Sequence, residues 1–169
     1  MAWTRRSVAL YAVVVVALLA ALPAAIHRIV QTGNPYLFTR QFFEDIFARL
    51  SDAGRLRFIF QPVVAILLGR RDGLNDARIG LPPFLRSFIS HREHATERIR
   101  NALASVRDLV AVAILMDMIS QFLIFRRVHP GAALLIGPVL IAFPYASART
   151  IANLISQRRT GRMLVRRVG

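Results

Sequence analysis

The chain has 169 residues, of which 55% are hydrophobic and 19% are charged, and its formal net charge is +14. A soluble domain has about 45–50% apolar and about 25% charged residues, so this composition is shifted toward that of a membrane protein. The absence of cysteine excludes a disulfide scaffold, a thiolate metal site and a cysteine nucleophile. All 23 basic residues are arginine, which excludes a catalytic lysine.

The apolar residues are grouped into blocks with arginines between them, which is the pattern of a membrane protein. Three blocks, residues 8–26, 109–125 and 132–148, are long enough to cross a hydrocarbon core of about 30 Å. The first block follows two arginines, but it exceeds the apolar core of a signal peptide, about 7–15 residues, so we predict an uncleaved helix. Because the arginines separate apolar blocks, the basic charge does not indicate a nucleic-acid partner.

Two further segments predict shorter membrane-associated helices. Residues 58–69 form an apolar run that is short enough to be re-entrant, and Pro62 removes a backbone donor within it. Arginines at both of its ends could instead extend to the membrane surfaces and make it a short span. Residues 36–50 alternate with helical period between phenylalanines and polar side chains, which predicts an amphipathic helix that lies in the membrane interface or packs on the helix bundle.

The remaining segments are a loop over residues 70–107 and a basic tail over residues 149–169. Within the loop, residues 91–107 are polar and of mixed charge, which predicts a solvated helix, and the tail predicts a basic amphipathic helix. Glycines and prolines predict only short regular structure at the start of the loop, and Asp108 stands where the next span would have its N-cap. The positive-inside rule places both loop and tail in the cytoplasm, whether the chain has three spans or four.

The predicted fold is therefore all-α. We expect a polytopic helical membrane protein with three long transmembrane helices, one short re-entrant or spanning helix and interfacial amphipathic helices. Residues 1–169 would form a single membrane domain, multi-pass in a bacterial inner membrane, with a cytoplasmic C-terminus.

Asp117 is the most informative residue because it lies about halfway along the third long block. A carboxylate near the bilayer centre costs at least about 2.5 kcal/mol, so it normally faces protein or water. Ser120 and Gln121, one turn away, are its expected local partners. Asp117 is then either a buried acid that pairs with another helix or subunit, or a proton-carrying group. The apolar blocks themselves contain no arginine or histidine as a counter-ion, which weakens the second interpretation.

Small residues at four-residue spacing let helix backbones approach closely, and two such rows occur. They are Ala17, Ala21 and Ala25 in the first block and Ala133 and Gly137 in the last. The tail carries a basic cluster that we expect to contact anionic lipids or, alternatively, an acidic partner surface. This cluster consists of Arg158, Arg159, Arg162, Arg166 and Arg167.

Two motifs are considered and rejected as sites. The run from Asp72 to Arg78 is near the signature of CDP-alcohol phosphotransferases, but its spacing differs and the further aspartates of that signature are missing, so we predict a turn. His91, His94 and Glu97 do not have the spacing of helical zinc motifs and fit a solvated face. We predict no catalytic residues, no metal and no cofactor.

One stretch resembles a group of known sequences. It runs from Arg57 to Pro83, and its residues are Arg57, Gln61-Pro62, Gly69, Asp72-Gly73, Asp76-Ala77, Gly80 and Pro82-Pro83, with Asp117, Gln121 and Pro144-Tyr145 as further matches. Together they are similar to small multi-spanning bacterial inner-membrane proteins of unassigned activity, over about half the chain. The resemblance implies neither a reaction nor a ligand.

The sequence thus predicts a non-enzymatic integral membrane protein that acts as an accessory or assembly subunit of a larger membrane complex. A small oligomeric channel or proton-coupled carrier that uses Asp117 is the alternative, and a membrane lipid enzyme is a third possibility. The expected partners are a bilayer with anionic lipids and other membrane-protein subunits or further copies of the chain, and not nucleic acid.

Overall fold

The structure is a computed structural model that describes residues 4–51, 55–85 and 92–168. Within these ranges the regular structure is helical, which confirms the all-α prediction. The helices, in chain order, are α1 (Arg5–Thr32), α2 (Arg40–Ser51), α3 (Arg55–Arg78), α4 (Arg92–Phe125) and α5 (Pro130–Val168).

Three helical stretches are long and apolar enough to cross a membrane: Arg5–Thr32, Ile99–Phe125 and Pro130–Arg158. They contain the three long apolar blocks, so the prediction of three such helices is confirmed. The first of them, α1, begins where Thr4 accepts a hydrogen bond from the Ser7 amide. It ends at Gly33, whose φ of 69° is the left-handed conformation that glycine adopts without strain.

The helix predicted over residues 91–107 is present from Arg92 and joins the following apolar block in one helix. The helix α4 runs unbroken through Asp108, so the expected N-cap there is wrong. The side chain of Asp108 instead accepts hydrogen bonds from Ser7 Oγ (3.0 Å) and Tyr11 Oη (2.7 Å) of α1. The basic tail is helical, as the sequence predicts, and α5 continues into it from the third candidate span without a break.

The segment 58–69 is part of α3, a single helix of 24 residues that passes through Pro62. At 1.5 Å per residue it is about 36 Å long. It includes Asp72 and Gly73, so the turn predicted there is wrong. It is not among the three apolar candidate spans, and its spanning or re-entrant course stays a prediction, as does the interfacial position of α2.

The chain folds as two compact units. The first unit comprises Met1–Gln61 and Asp108–Leu140, and the second comprises Pro62–Arg107 and Ile141–Gly169.

In the first unit, the apolar core joins α1, α4 and the start of α5. Its buried members are Val14, Ala111, Ile114, Met118 and Ala133, with Ala17 and Ala21 packed against them. A Cβ built on Gly137 would lie 3.0 Å from the backbone nitrogen of Ile114. The backbones of α4 and α5 therefore approach closely at Gly137, as small residues allow in membranes. A close helix contact along the row of Ala17, Ala21 and Ala25 stays a prediction.

In the second unit, α3 and α5 touch through Gly69 and Gly73, which are four residues apart. A Cβ on Gly69 would overlap the carbonyl oxygen of Tyr145, and one on Gly73 would overlap the carbonyl oxygen of Arg149. The two backbones are thus in direct contact at both positions. The four-residue spacing of these two glycines is a sequence signal for such a contact.

We expect Gly69→Ala and Gly73→Ala each to lower the free energy of unfolding by about 1–3 kcal/mol, because α5 must move away to admit a methyl group. Gly131→Ala is the matched control. Its Cβ would meet only the Leu37 side chain, at 3.1 Å, and alanine favours a helix over glycine. Reversible unfolding in mixed micelles, followed by the helical signal, measures the difference. Equal effects at all three glycines would contradict the close contact.

Candidate functional site

Asp117 of α4 lies in a buried charge cluster of the first unit, together with Arg49, Arg57 and Gln121. Arg49 and Asp117 are both 0% exposed, and Arg57 is 4% exposed. Arg49 Nη1 donates to Asp117 Oδ1 at 3.3 Å, and Arg57 forms an ion pair with the same oxygen. Asp117 Oδ2 accepts a hydrogen bond of 2.6 Å from Gln121 Nε2. Both carboxylate oxygens are therefore engaged. We call these four residues the Asp117 cluster.

Two cations thus face one carboxylate, and aromatic rings partly replace the water that the cations have lost. The guanidinium carbon of Arg57 is 4.5 Å from the ring centroid of Phe58, and that of Arg49 is 5.7 Å from that of Phe125. Such contacts stabilise a desolvated arginine by up to about 2 kcal/mol. The cluster joins α2, α3 and α4, because each of these helices supplies one of its charges.

Gln121 extends the cluster to the segment between α4 and α5. Its Oε1 accepts a hydrogen bond of 2.6 Å from the backbone N–H of His129. The ring of His129 stacks on Tyr36, with 3.6 Å between centroids. The Tyr36 hydroxyl donates to Asp45 (2.6 Å) and accepts from Arg49 Nη2 (3.2 Å), which closes the network. Burial, reinforced by the hydrogen bond to Asp45, raises the pKa of Tyr36.

His129 is neutral at physiological pH. Burial, followed by the nearby positive charge of Arg28, lowers the pKa of His129 to about 4. Arg28 Nη1 lies 3.0 Å from His129 Nε2, and since a guanidinium can only donate, Nε2 is the acceptor. The proton of the neutral ring is therefore on Nδ1, which is buried and has no hydrogen-bond partner in the described part of the chain.

The second unit contains a separate buried charge network between α3 and α5. Arg149 binds Asp76 with two hydrogen bonds, Nε to Oδ2 at 2.7 Å and Nη2 to Oδ1 at 2.9 Å. The hydroxyl of Tyr145 donates to Asp72 at 2.6 Å and accepts from Arg149 Nη1 at 3.0 Å. Phe84 lies under the guanidinium of Arg149, at 4.7 Å. The two acids of the Asp72–Arg78 run thus bind the neighbouring helix.

The structure brings together part of the predicted site around Asp117. Gln121 contacts the carboxylate, whereas Ser120 is buried nearby without a described hydrogen bond to it. The expectation that no arginine is available as a counter-ion is wrong, because Arg49 and Arg57 both reach Asp117. The sequence signal was the position of Arg57 directly before an apolar run, but only the fold places Arg49 beside it.

The other predicted residues are only partly described. Ala25 lines a cleft beside the end of α1. Arg158 is exposed, and the side chains of Arg159, Arg162, Arg166 and Arg167 lie outside the described residues. His91 and the side chain of His94 also lie outside them, while Glu97 is exposed. Among the described residues, no three histidines or acids are grouped closely enough to hold a metal ion.

No protein-family model, curated protein or solved structure matches the chain.

We expect Asp117→Asn to lower the free energy of unfolding by about 3–5 kcal/mol, because two buried guanidinium groups would lose their carboxylate. Adding Arg57→Gln should recover part of the loss, since it removes one of the unpaired charges. Glu97→Gln, at an exposed acid, is the control and should change nothing. Unfolding in mixed micelles provides the measurement. A change below about 1 kcal/mol for Asp117→Asn would contradict the ion-pair assignment.

Protonation of His129 should destabilise the folded chain. In the unfolded chain an imidazole titrates near 6.5, whereas in the fold the pKa of His129 is about 4. The unfolded state therefore binds more protons between these values, and this contribution to stability is complete above about pH 6.5 and decreases as the pH falls toward 4. His129→Phe keeps a ring against Tyr36 and should flatten the pH dependence in that window. His27→Phe, at an exposed histidine, should leave the parent slope unchanged.

Proposed function

We propose that the chain is a non-enzymatic integral membrane protein of the bacterial inner membrane, with a cytoplasmic C-terminus, that acts as an accessory or assembly subunit of a larger membrane complex. The observation that carries the proposal is the closure of the Asp117 cluster. The one acid in the apolar part of α4 is fully buried, and both of its oxygens are bound by side chains of the same unit.

This closure favours a structural role over a carrier role for Asp117. A proton-carrying acid must alternate between a protonated and an ionised state, with access to water in at least one of them. Here, protonation of Asp117 would leave Arg49 and Arg57 buried without their counter-ion, which is costly. The cluster is therefore better suited to fixing α2, α3 and α4 than to moving protons.

The outer surface of α1 offers a contact face for a partner. Of the 28 residues in α1, two, Ser7 and Val14, are buried. Large apolar side chains on the rest of the helix are exposed, and in its earlier turns, before the part that leads to the cleft beside the end of α1, they include Val13, Val15, Val16 and Leu19. Within a membrane, such a surface is covered either by lipid chains or by apolar helices of other subunits. We assign it to a partner helix, which agrees with the accessory role.

Site-specific photo-crosslinking in native membranes tests the assignment. A photoreactive residue at Val16 or Leu19, both more than half exposed, should give protein adducts of defined mass. The matched control at Val14, which is buried in the core of the first unit, should give no intermolecular protein adduct.

Two outcomes would overturn the proposal. The first is that every exposed position of α1 gives lipid adducts alone. The second is a proton flux in liposomes that contain only the purified chain and that is abolished by Asp117→Asn, because such a flux would establish the carrier function.

A further inference from the structure

A cleft of about 770 Å³ opens in the first unit beside the end of α1. Its walls come from the last turns of α1, the segment that leads into α2, the segment after α4 and the start of α5. These are the ends of the three helical stretches that are long and apolar enough to cross a membrane. If those helices span the bilayer, as the proposed function holds, the cleft opens at the level of the lipid headgroups.

The cleft is positively charged. Arg28, Arg40 and Arg127 line it, and its described lining contains no carboxylate. Arg127 is exposed and has no ion-pair partner among the described residues. Among the described residues, Arg40 pairs with Glu44 alone, and this pair is solvent-exposed and easily exchanged. Arg28 is held in place through His129.

His129 forms part of the cleft wall and orients one of the arginines. It lines the cleft, it is 9% exposed, and its Nε2 accepts a hydrogen bond from Arg28. Because the ring also stacks on Tyr36, which lines the cleft as well, this wall has a defined position. The N-terminus of α5, which begins at Pro130, adds the positive end of its dipole.

One wall of the cleft is apolar. Ala25, Ile29 and Leu37 line it, and Ile29 is 46% exposed. This wall continues along α1 into the exposed side chains of Ile26 and Leu22. A free phosphate ion would use only the arginine side of the cleft. A phospholipid would use both sides, with its phosphate among the arginines and its acyl chains along α1.

We propose that this cleft binds the headgroup phosphate of an anionic phospholipid. The site is distinct from the basic tail, because its arginines lie at Arg28, Arg40 and Arg127. The inference rests on the membrane location in the proposed function but not on the accessory role.

Native mass spectrometry of the full chain, released from detergent micelles, tests the proposal by titration with two lipids of identical acyl chains. Phosphatidylglycerol, which is anionic, should bind more tightly than zwitterionic phosphatidylcholine. Arg127→Gln should weaken phosphatidylglycerol binding about fivefold, and Arg40→Gln with Arg127→Gln about twenty-five-fold. Arg126→Gln is the matched control, since it removes the same charge from a neighbouring exposed residue that does not line the cleft. It should leave the affinity unchanged.

Each contrary outcome overturns the proposal in an identifiable way. Equal affinity for the two lipids excludes recognition of an anion. An Arg126→Gln variant that loses as much affinity as Arg127→Gln indicates general charge attraction. Displacement of the lipid by inorganic phosphate at equal concentration would assign the cleft to a free anion. Unfolding midpoints of all variants, which replace exposed side chains, verify that each is folded.

The experiment also separates this proposal from the accessory role. It uses the chain without any partner, so the lipid affinities that it measures do not depend on whether α1 crosslinks to another protein. Conversely, a loss of lipid selectivity would not change the protein adducts formed through α1. Recovery of the chain in the soluble fraction of cells would overturn both proposals, because both require the membrane.

Discussion

The negative charge of Asp117 must be balanced inside the protein, and much of the first unit follows from this requirement. An acid in an apolar helix is costly unless a cation reaches it. Arg49 on α2 and Arg57 on α3 provide that charge, so both helices are fixed against α4 by the same carboxylate. Gln121 donates a hydrogen bond to Asp117 and accepts one from the backbone N–H of His129, so the segment between α4 and α5 is held against the same cluster. These polar contacts are directional, so they restrict the relative positions of α2, α3 and α4 more than apolar packing alone would.

The second unit combines a buried ion pair with a close backbone contact. Gly69 and Gly73 bring α3 against α5, and this proximity lets the short side chain of Asp76 reach Arg149 with two hydrogen bonds. A bidentate pair fixes orientation as well as distance. Buried ion pairs of this kind add little net stability compared with apolar packing, but removing one partner is costly. The two hydrogen bonds form only where Asp76 and Arg149 lie opposite each other, so they are compatible with one relative position of the two helices.

Local patterns predicted the parts of the fold that depend on neighbours along the chain. The long apolar blocks predict the three candidate spans, and the four-residue spacing predicts the contact of Gln121 with Asp117. The pairing of Asp117 with Arg49 depends on a contact across 68 positions, which no local pattern contains. Similarly, Asp72-Gly73 is a strong turn signal by itself, yet both residues are helical because Asp72 and Gly73 contact α5. Tertiary contacts outweigh the helix penalty of one glycine, about 1 kcal/mol.

Arginine side chains form both the counter-charge in the Asp117 cluster and the positive lining of the proposed lipid site, and the two sites are linked by contacts. An arginine stays charged when it is buried, whereas a buried lysine often loses its proton, so Arg49 and Arg57 form a permanent counter-charge for Asp117. Because the arginines hold Asp117 in place, Gln121 has a fixed hydrogen-bond acceptor in Asp117. Gln121 also accepts a hydrogen bond from the backbone N–H of His129. His129 in turn lines the arginine cleft and accepts a hydrogen bond from Arg28. The buried cluster therefore shapes one wall of the cleft without contacting a ligand there, which is why loosening Asp117 should also loosen the cleft.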